Sequence, residues 1–200
     1  MLLHLITDSR FDHSRLLAAV EAASANGVDW IQVRDHHATA QELFDLTTAV
    51  IAIARPRGVK VAVNDRVDVA LAIGADGVQL GERSLAIDVV RRLASHLRIG
   101  ASVHDHAGAE RAAGADWLMF GHVFETSSHP DAPPRGLDAL AAIVRDVSIP
   151  VIAIGGITRD SIGSVRRAGA SGVAVISAIL NAPKPGEATA ALRAELDLPG

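Results

Sequence analysis

The residues of this 200-residue chain best suited to chemistry gather at the ends of short apolar runs. Ile154-Gly155-Gly156-Ile157-Thr158 and Val175-Ile176-Ser177-Ala178 each lead from a strand-like run towards a helix-like one. Side-chain-free Gly155 and Gly156 let backbone N–H groups approach an anion. Helix N-termini starting near Thr158 and Ser177 would add oriented donors and partial positive charge. A glycine pair also makes an ordinary tight turn, but two such features on successive strands point to a phosphate cradle. His122 follows Gly121, and its ordinary pKa near 6.5 suits proton transfer. The chain has nine histidines, so a plain rim histidine is the competing reading of His122. Arg34 could clamp a carboxylate or phosphate with both arms of its guanidinium. Asn64 and Ser102 could bond ring heteroatoms, and Gln79 and His104 fall near the same ends of their runs. Asp65 serves equally well as a helix cap before Val67.

Metal chemistry has little to stand on here. His104-x-His106 with Glu125 is a loose pattern without three ligands at metal spacing, so no metal site is expected. A nucleophile elbow, a P-loop and a dinucleotide fingerprint are all missing.

The elements that must position these residues alternate from end to end. Strands are expected over 2–7, 30–34, 59–63, 77–80, 97–101, 117–120, 151–154 and 172–176. Helical periodicity covers 14–24, 40–54, 85–94 and 137–144, with Asp12 and Thr158 as N-caps. Eight nearly continuous apolar strands, each followed by a helix, imply a parallel sheet covered on its outer face. The repeated Gly74-Ala75-Asp76-Gly77-Val78, Gly114-Ala115-Asp116-Trp117-Leu118 and Gly169-Ala170-Ser171-Gly172-Val173 mark helix ends turning into strands. The count of eight favours a single-domain (β/α)8 TIM barrel over residues 1–200, with an open doubly wound sheet as the alternative. The segment from Gly121 to Arg135 is longer than an ordinary connection and is expected to be a binding loop or lid on the carboxyl-end face.

Composition narrows the class of function. The chain contains no cysteine, which excludes disulfides and thiolate sites and accords with a reducing cytoplasm. The formal charge of −4 is spread without a basic run, so nucleic acid is not an expected partner. Apolar runs such as 49–54 are far too short to cross a bilayer, and no signal peptide is visible. A cytoplasmic enzyme is expected. Analogy with other barrels leaves room for a homo-oligomer.

With these residues in hand, the chain resembles the thiamin phosphate synthase/TenI superfamily over essentially its whole length. The matching stretches are Leu5-Ile6-Thr7-Asp8, Ile31-Gln32-Val33-Arg34, Asn64-Asp65-Arg66-Val67-Asp68-Val69-Ala70-Leu71, Gly74-Ala75-Asp76-Gly77-Val78-Gln79-Leu80, Ile99-Gly100 with Ser102-Val103-His104, and Ile152-Ala153-Ile154-Gly155-Gly156-Ile157.

Two branches follow from the resemblance. The synthase branch joins a pyrimidine diphosphate to a thiazole phosphate with magnesium. Its pattern has a lysine soon after the strand-two arginine, carboxylates after strands three and four, and a lysine in the loop after strand six. Here His36 stands at the first lysine position, Asp65 keeps the first carboxylate, Ser84 replaces the second beside Glu82, and Glu125-Thr126-Ser127-Ser128 lacks the last lysine. The TenI branch is similar to a thiazole tautomerase, and Gly121-His122-Val123-Phe124-Glu125-Thr126 with Arg135-Gly136 resembles its loop.

The expectation drawn is therefore an isomerase that aromatises a carboxythiazole phosphate tautomer, with His122 as acid and base and without metal or organic cofactor. The resemblance implies that Gly155, Gly156, Ile176 and Ser177 hold the phosphate while Arg34, Asn64, Gln79, Ser102 and His104 bind the rest of a small phosphorylated thiazole substrate. The alternatives are the synthase and a non-catalytic regulator that binds thiazole phosphate.

Overall fold

The computed structural model describes residues 1–126, 128 and 132–199. Eight parallel strands close into a barrel in chain order, which decides against the open sheet. They are β1 Leu2–Ile6, β2 Trp30–Val33, β3 Lys60–Asn64, β4 Gly77–Leu80, β5 Arg98–Val103, β6 Trp117–Gly121, β7 Val151–Ile154 and β8 Gly172–Val175. The described helices are α1 His13–Ala25, α2 Ala40–Ala54, α3 Val67–Ile73, α4 Ile87–Leu93, α5 His106–Arg111, α6 Gly136–Asp146, α7 Ile162–Arg167, α8 Ser177–Leu180 and α9 Pro185–Leu196. The architecture is a (β/α)8 barrel. Strand β5 runs two residues further than expected, so Ser102 lies inside the ladder, opposite Met119 of β6.

Local chemistry sets the helix ends. The Asp12 carboxylate accepts from the Arg15 N–H at the start of α1. Thr39 and Glu42 form a reciprocal capping box that starts α2. Thr158 caps a 3-10 turn over Arg159–Ser161, one turn before α7, rather than the α-helix itself. Gly74, Gly114 and Gly169 have φ of 63°, 91° and 87°, the left-handed conformation expected of the repeated helix ends.

A second repeat works at the opposite end of the barrel. Asp29, just before β2, accepts from the Leu3 N–H of β1 at 2.7 Å. Asp76, before β4, accepts from Val61 of β3 at 2.9 Å, and Asp116, before β6, accepts from Ile99 of β5 at 2.7 Å. Each aspartate ties an odd strand to the even strand that follows. Before β8 the equivalent place holds Ser171, whose side chain makes no such bond among the described residues. Arg193 of α9 reaches Asp29 at 3.1 Å and the Met1 carbonyl at 2.7 Å, fastening the last helix to the first strand.

Inside the barrel, large side chains alternate with absent ones. Ile6, Trp30, Ala62, Trp117, Met119, Ile152 and Ala174 form the inner cluster. A methyl group on Gly100 would overlap both the Trp117 ring and the Gln79 amide, so glycine there makes room for the indole. His4 lies against Trp30, with ring centroids 5.9 Å apart, and meets Trp117 edge-on. Its Nε2 is buried with no hydrogen-bond partner among the described residues, and burial pushes the imidazole pKa down to about 4.

That histidine gives the fold a pH dependence of defined sign. An unfolded histidine titrates near 6.5. Between pH 4 and 6.5 the unfolded chain therefore binds the extra proton, so His4 makes stability rise with pH across this window, by up to about 1.4 kcal/mol per unit. Urea denaturation at pH 7 and pH 4.5 is expected to show a smaller pH-induced loss for His4→Phe than for wild type. Equal losses in both proteins would remove His4 as the source.

Candidate active site

The carboxyl ends of the strands gather most of the expected residues on one face. Arg34, one residue beyond β2, is locked through its backbone by Thr7. The Thr7 hydroxyl accepts from the Arg34 N–H at 2.8 Å and donates to the Arg34 carbonyl at 3.2 Å. The half-buried Arg34 guanidinium makes no hydrogen bond among the described residues. Burial pushes its pKa down, opposed by the nearby Asp8 carboxylate, and it stays cationic at any working pH. Two other arginines at this end are committed. Arg10 grips Asp8 through Nε and Nη2, and that hydrogen bonding holds the Asp8 carboxyl below the usual carboxylate range. Arg66 grips Asp68. Burial, and then the Arg34 charge, push the His36 imidazole pKa down.

Asp65 follows β3 with φ of 64°, the left-handed region that costs a non-glycine residue roughly 1 kcal/mol or more. Its N–H donates to the Gln79 carbonyl at 2.8 Å, which ties the turn to β4. No side-chain cap bond is made at the start of α3, so the capping role open to Asp65 is not taken. Asn64 Oδ1 accepts from Gln32 Nε2 at 2.9 Å. Gln32 is buried, and its Oε1 has no partner among the described residues.

Gln79 is the expected binding residue that the structure moves away from the mouth. It is 1 % exposed, with its Oε1 accepting from Trp117 Nε1 and its Nε2 donating to Ser102 Oγ, both at 3.0 Å. The inward-facing period was legible, but the depth was not. Ser102, half-buried and one pleat nearer the mouth, remains on the site face.

The two histidines near β5 and β6 are both tied to carbonyls. His104 Nδ1 lies 2.5 Å from the Gly121 carbonyl oxygen. A carbonyl only accepts, so Nδ1 carries the proton and a neutral ring presents Nε2 as an acceptor. His122 Nε2 lies 3.1 Å from the Ala132 carbonyl and donates to it by the same logic. His122 thus anchors the far part of the long loop. Ser127 and residues 129–131 of that loop lie outside the described residues. At the loop's base, Val123 and Phe124 donate to the Ile154 and Gly155 carbonyls, and Arg135 and Gly136 donate to His122 and Val123.

The glycine pair, expected to form a cradle, is a packing site. Gly155 and Gly156 have φ of 95° and 65°. A methyl group on Gly155 would overlap His122, and one on Gly156 would overlap the Glu125 carbonyl and the Phe124 side chain. The base of the long loop therefore rests directly on the pair. Helix α8, starting at Ser177 beyond Ile176, is one turn long. Its dipole is correspondingly small, and local N–H groups rather than a macrodipole are what it offers an anion.

Thr7, Gln32 and Trp117 escaped the sequence reading. A signal was present for Gln32, a polar side chain in phase with the inner residues of a buried strand. The bonds made by Thr7 and Trp117 depend on neighbours far along the chain and leave no local signature.

A family model described as thiamine monophosphate synthase matches residues 3–179. A thiamine-phosphate synthase of Roseiflexus sp. (strain RS-1) is 46 % identical over 198 residues, spanning 96 % of this chain and 84 % of the relative. One from Pyrococcus furiosus is 41 % identical over 193 residues, spanning 96 % of this chain and 92 % of the relative. The solved structure of thiamine phosphate pyrophosphorylase from Pyrococcus furiosus superposes with a TM-score of 0.91 at 40 % identity, covering 98 % of this chain and 95 % of that one.

These relatives correct the expected activity. The tautomerase reading, an isomerase with His122 as acid and base, is overturned by curated relatives of nearly full length that carry the transferase name. The expectation leaned on 121–126 with Arg135-Gly136 and on the departures at His36, Ser84 and 125–128, whereas the similarity extends over the whole barrel. The structure supplies a physical reason for a histidine there, because the ring's Nε2 proton is spent on the Ala132 carbonyl. The chain belongs to the thiamine monophosphate synthase/TenI family.

Proposed function

We propose that this chain is a transferase of the thiamine-phosphate synthase type, joining a pyrimidine diphosphate to a thiazole phosphate with release of pyrophosphate. The observation that carries the reading is the full-length similarity, 46 % identity to a thiamine-phosphate synthase over 96 % of the chain. The site chemistry is compatible with it. The thiazole nitrogen attacks the methylene carbon of the pyrimidine as the carbon–oxygen bond to the diphosphate breaks. No proton has to be abstracted, so a general base is not required. The task is to align two heterocycles and to meet the charge of the leaving group.

Gly155, Gly156, Ile176 and Ser177 are proposed to hold the thiazole phosphate through backbone and hydroxyl donors. Asn64, Ser102 and His104 would orient the rings, and Arg34 would bond the diphosphate. Magnesium, which the resemblance attaches to this reaction, would have Asp65 as its carboxylate, since such an ion is commonly held by one or two carboxylates together with substrate phosphates. Ser84 stands where the second carboxylate is expected, and its Oγ accepts from the Gly81 N–H at 2.7 Å. Among the described residues no group of three His, Cys, Asp or Glu side chains could hold a metal ion. The half-buried Arg34 would then contribute to neutralising the diphosphate, and the exposed Arg83 and Arg135 stand in the loops after β4 and β6.

The test is direct. Purified protein given both substrates in magnesium-containing buffer is expected to form thiamin phosphate and release an equal amount of pyrophosphate. If neither product rises above the rate without enzyme, this reading is wrong.

A further inference from the structure

The geometry points to Gln79 as a positioning residue that, with Trp117, fixes the Ser102 hydroxyl as a hydrogen-bond donor towards the substrate ring. The reasoning starts from an atom whose role is unambiguous. The Trp117 indole N–H can only donate, so the Gln79 atom 3.0 Å away must be its carbonyl oxygen. The amide therefore has one orientation, and its NH2 group faces Ser102 Oγ at 3.0 Å. One of the two lone pairs of that hydroxyl oxygen is taken by the incoming N–H. Its own proton has to leave in another direction, and the half-buried Ser102 lies on the side of the mouth.

The three groups come from three neighbouring strands in one chain of bonds, β6 to β4 to β5. Packing holds the chain in place. Gln79 and Trp117 are 1 % and 7 % exposed, and the space around them is available because Gly100 carries no side chain. A free serine hydroxyl can donate or accept, and so reads ring acceptors and ring N–H groups alike. Held in this relay, Ser102 keeps its proton and one lone pair to offer, and favours a ring that presents an acceptor, such as an unprotonated ring nitrogen, over one that presents an N–H. An N–H there would leave the hydroxyl proton without a partner in a desolvated place.

The inference rests on the proposed synthase site only in taking one of its two heterocycles as the ring bound at Ser102. Gln79→Met removes the relay while keeping length and apolar packing, and Ser102→Ala removes the donor. Trp117→Phe releases the amide without touching either residue, and serves if Gln79→Met does not fold. Calorimetric binding of pyrimidine diphosphate and of thiazole phosphate, beside steady-state turnover, reads all of them. Each single variant is expected to weaken one heterocycle, and not the other, by about three- to tenfold. The double variant Gln79→Met/Ser102→Ala is expected to be no weaker than Ser102→Ala alone, because the two changes remove one interaction. The kcat should change less than KM.

Losses that multiply in the double variant, or that fall equally on both ligands, would overturn the relay while leaving the synthase reading intact. Coupled losses in binding by a protein that makes no thiamin phosphate would keep the relay and overturn the synthase reading. Failure of either heterocycle to bind wild type would overturn both.

Discussion

Arg34→Gln is expected to lower kcat/KM for coupling by about 10²–10³-fold while moving the melting temperature by only a few degrees. The magnitude is that of removing one charged donor aimed at developing negative charge in a desolvated site. The two arginines nearest in sequence to the β1 and β3 ends are already committed. Arg10 is spent on Asp8 and Arg66 on Asp68, whereas the Arg34 guanidinium makes no hydrogen bond among the described residues. Its backbone is meanwhile fixed on both sides by Thr7, so the side chain is presented rather than loose. His36 adds little charge at neutral pH, since burial and the Arg34 charge both lower its pKa. Steady-state kinetics on both substrates decides the matter. A variant within a factor of three of wild type would show that the leaving group is met elsewhere. If charge is the shortage, His36→Lys should act in the opposite sense and raise turnover.

Gly155→Ala carries the largest expected cost to the fold. Two penalties act together at this position. An L side chain at φ of 95° is strained by roughly 1–2 kcal/mol, and overpacking against His122 adds about 1–3 kcal/mol. For a chain of this size the sum corresponds to a drop of roughly 5–15 °C in melting temperature. Gly58→Ala is the matched comparison, because Gly58 has φ of 74° but nothing within 4 Å of the added methyl. It should show the strain alone. Scanning calorimetry of the two variants separates the contributions. Calorimetry with thiazole phosphate should also show Gly155→Ala losing affinity and Gly58→Ala retaining it. Equal melting temperatures for the two variants would mean that the long-loop base yields at no cost.

What could be read in advance depended on whether the cause was local. The eight strands and the left-handed Gly74, Gly114 and Gly169 were legible because period and helix-end chemistry lie within a few residues. Arg34, Asn64, Ser102 and His104 were placed near the right end because strand polarity alone carries them there. The depth of Gln79 was not legible because alternation tells which face a residue takes, not how far it lies below the mouth. Its bond to Trp117 spans 38 residues and the Thr7–Arg34 pair spans 27. The choice between branches failed for a related reason. The stretch around His122, with the departures at His36, Ser84 and 125–128, outweighed a similarity distributed over nearly two hundred residues.

The hold of α9 on β1 has a consequence for a chain synthesised from its N-terminus. Strand β1 leaves the ribosome early and can pair with β2, but its other edge has no neighbour until β8 exists. Of the four successive strand pairs, three are stapled as they form by Asp29, Asp76 and Asp116, whereas Ser171 supplies no staple to the fourth. The clasp on Asp29 and Met1 arrives only with Arg193. Until β8 pairs with β1 the nascent sheet presents two bare edges, the state most open to pairing with another chain. The cylinder is closed late, by β8, and one arginine near the end of α9 then clasps the seam's first strand.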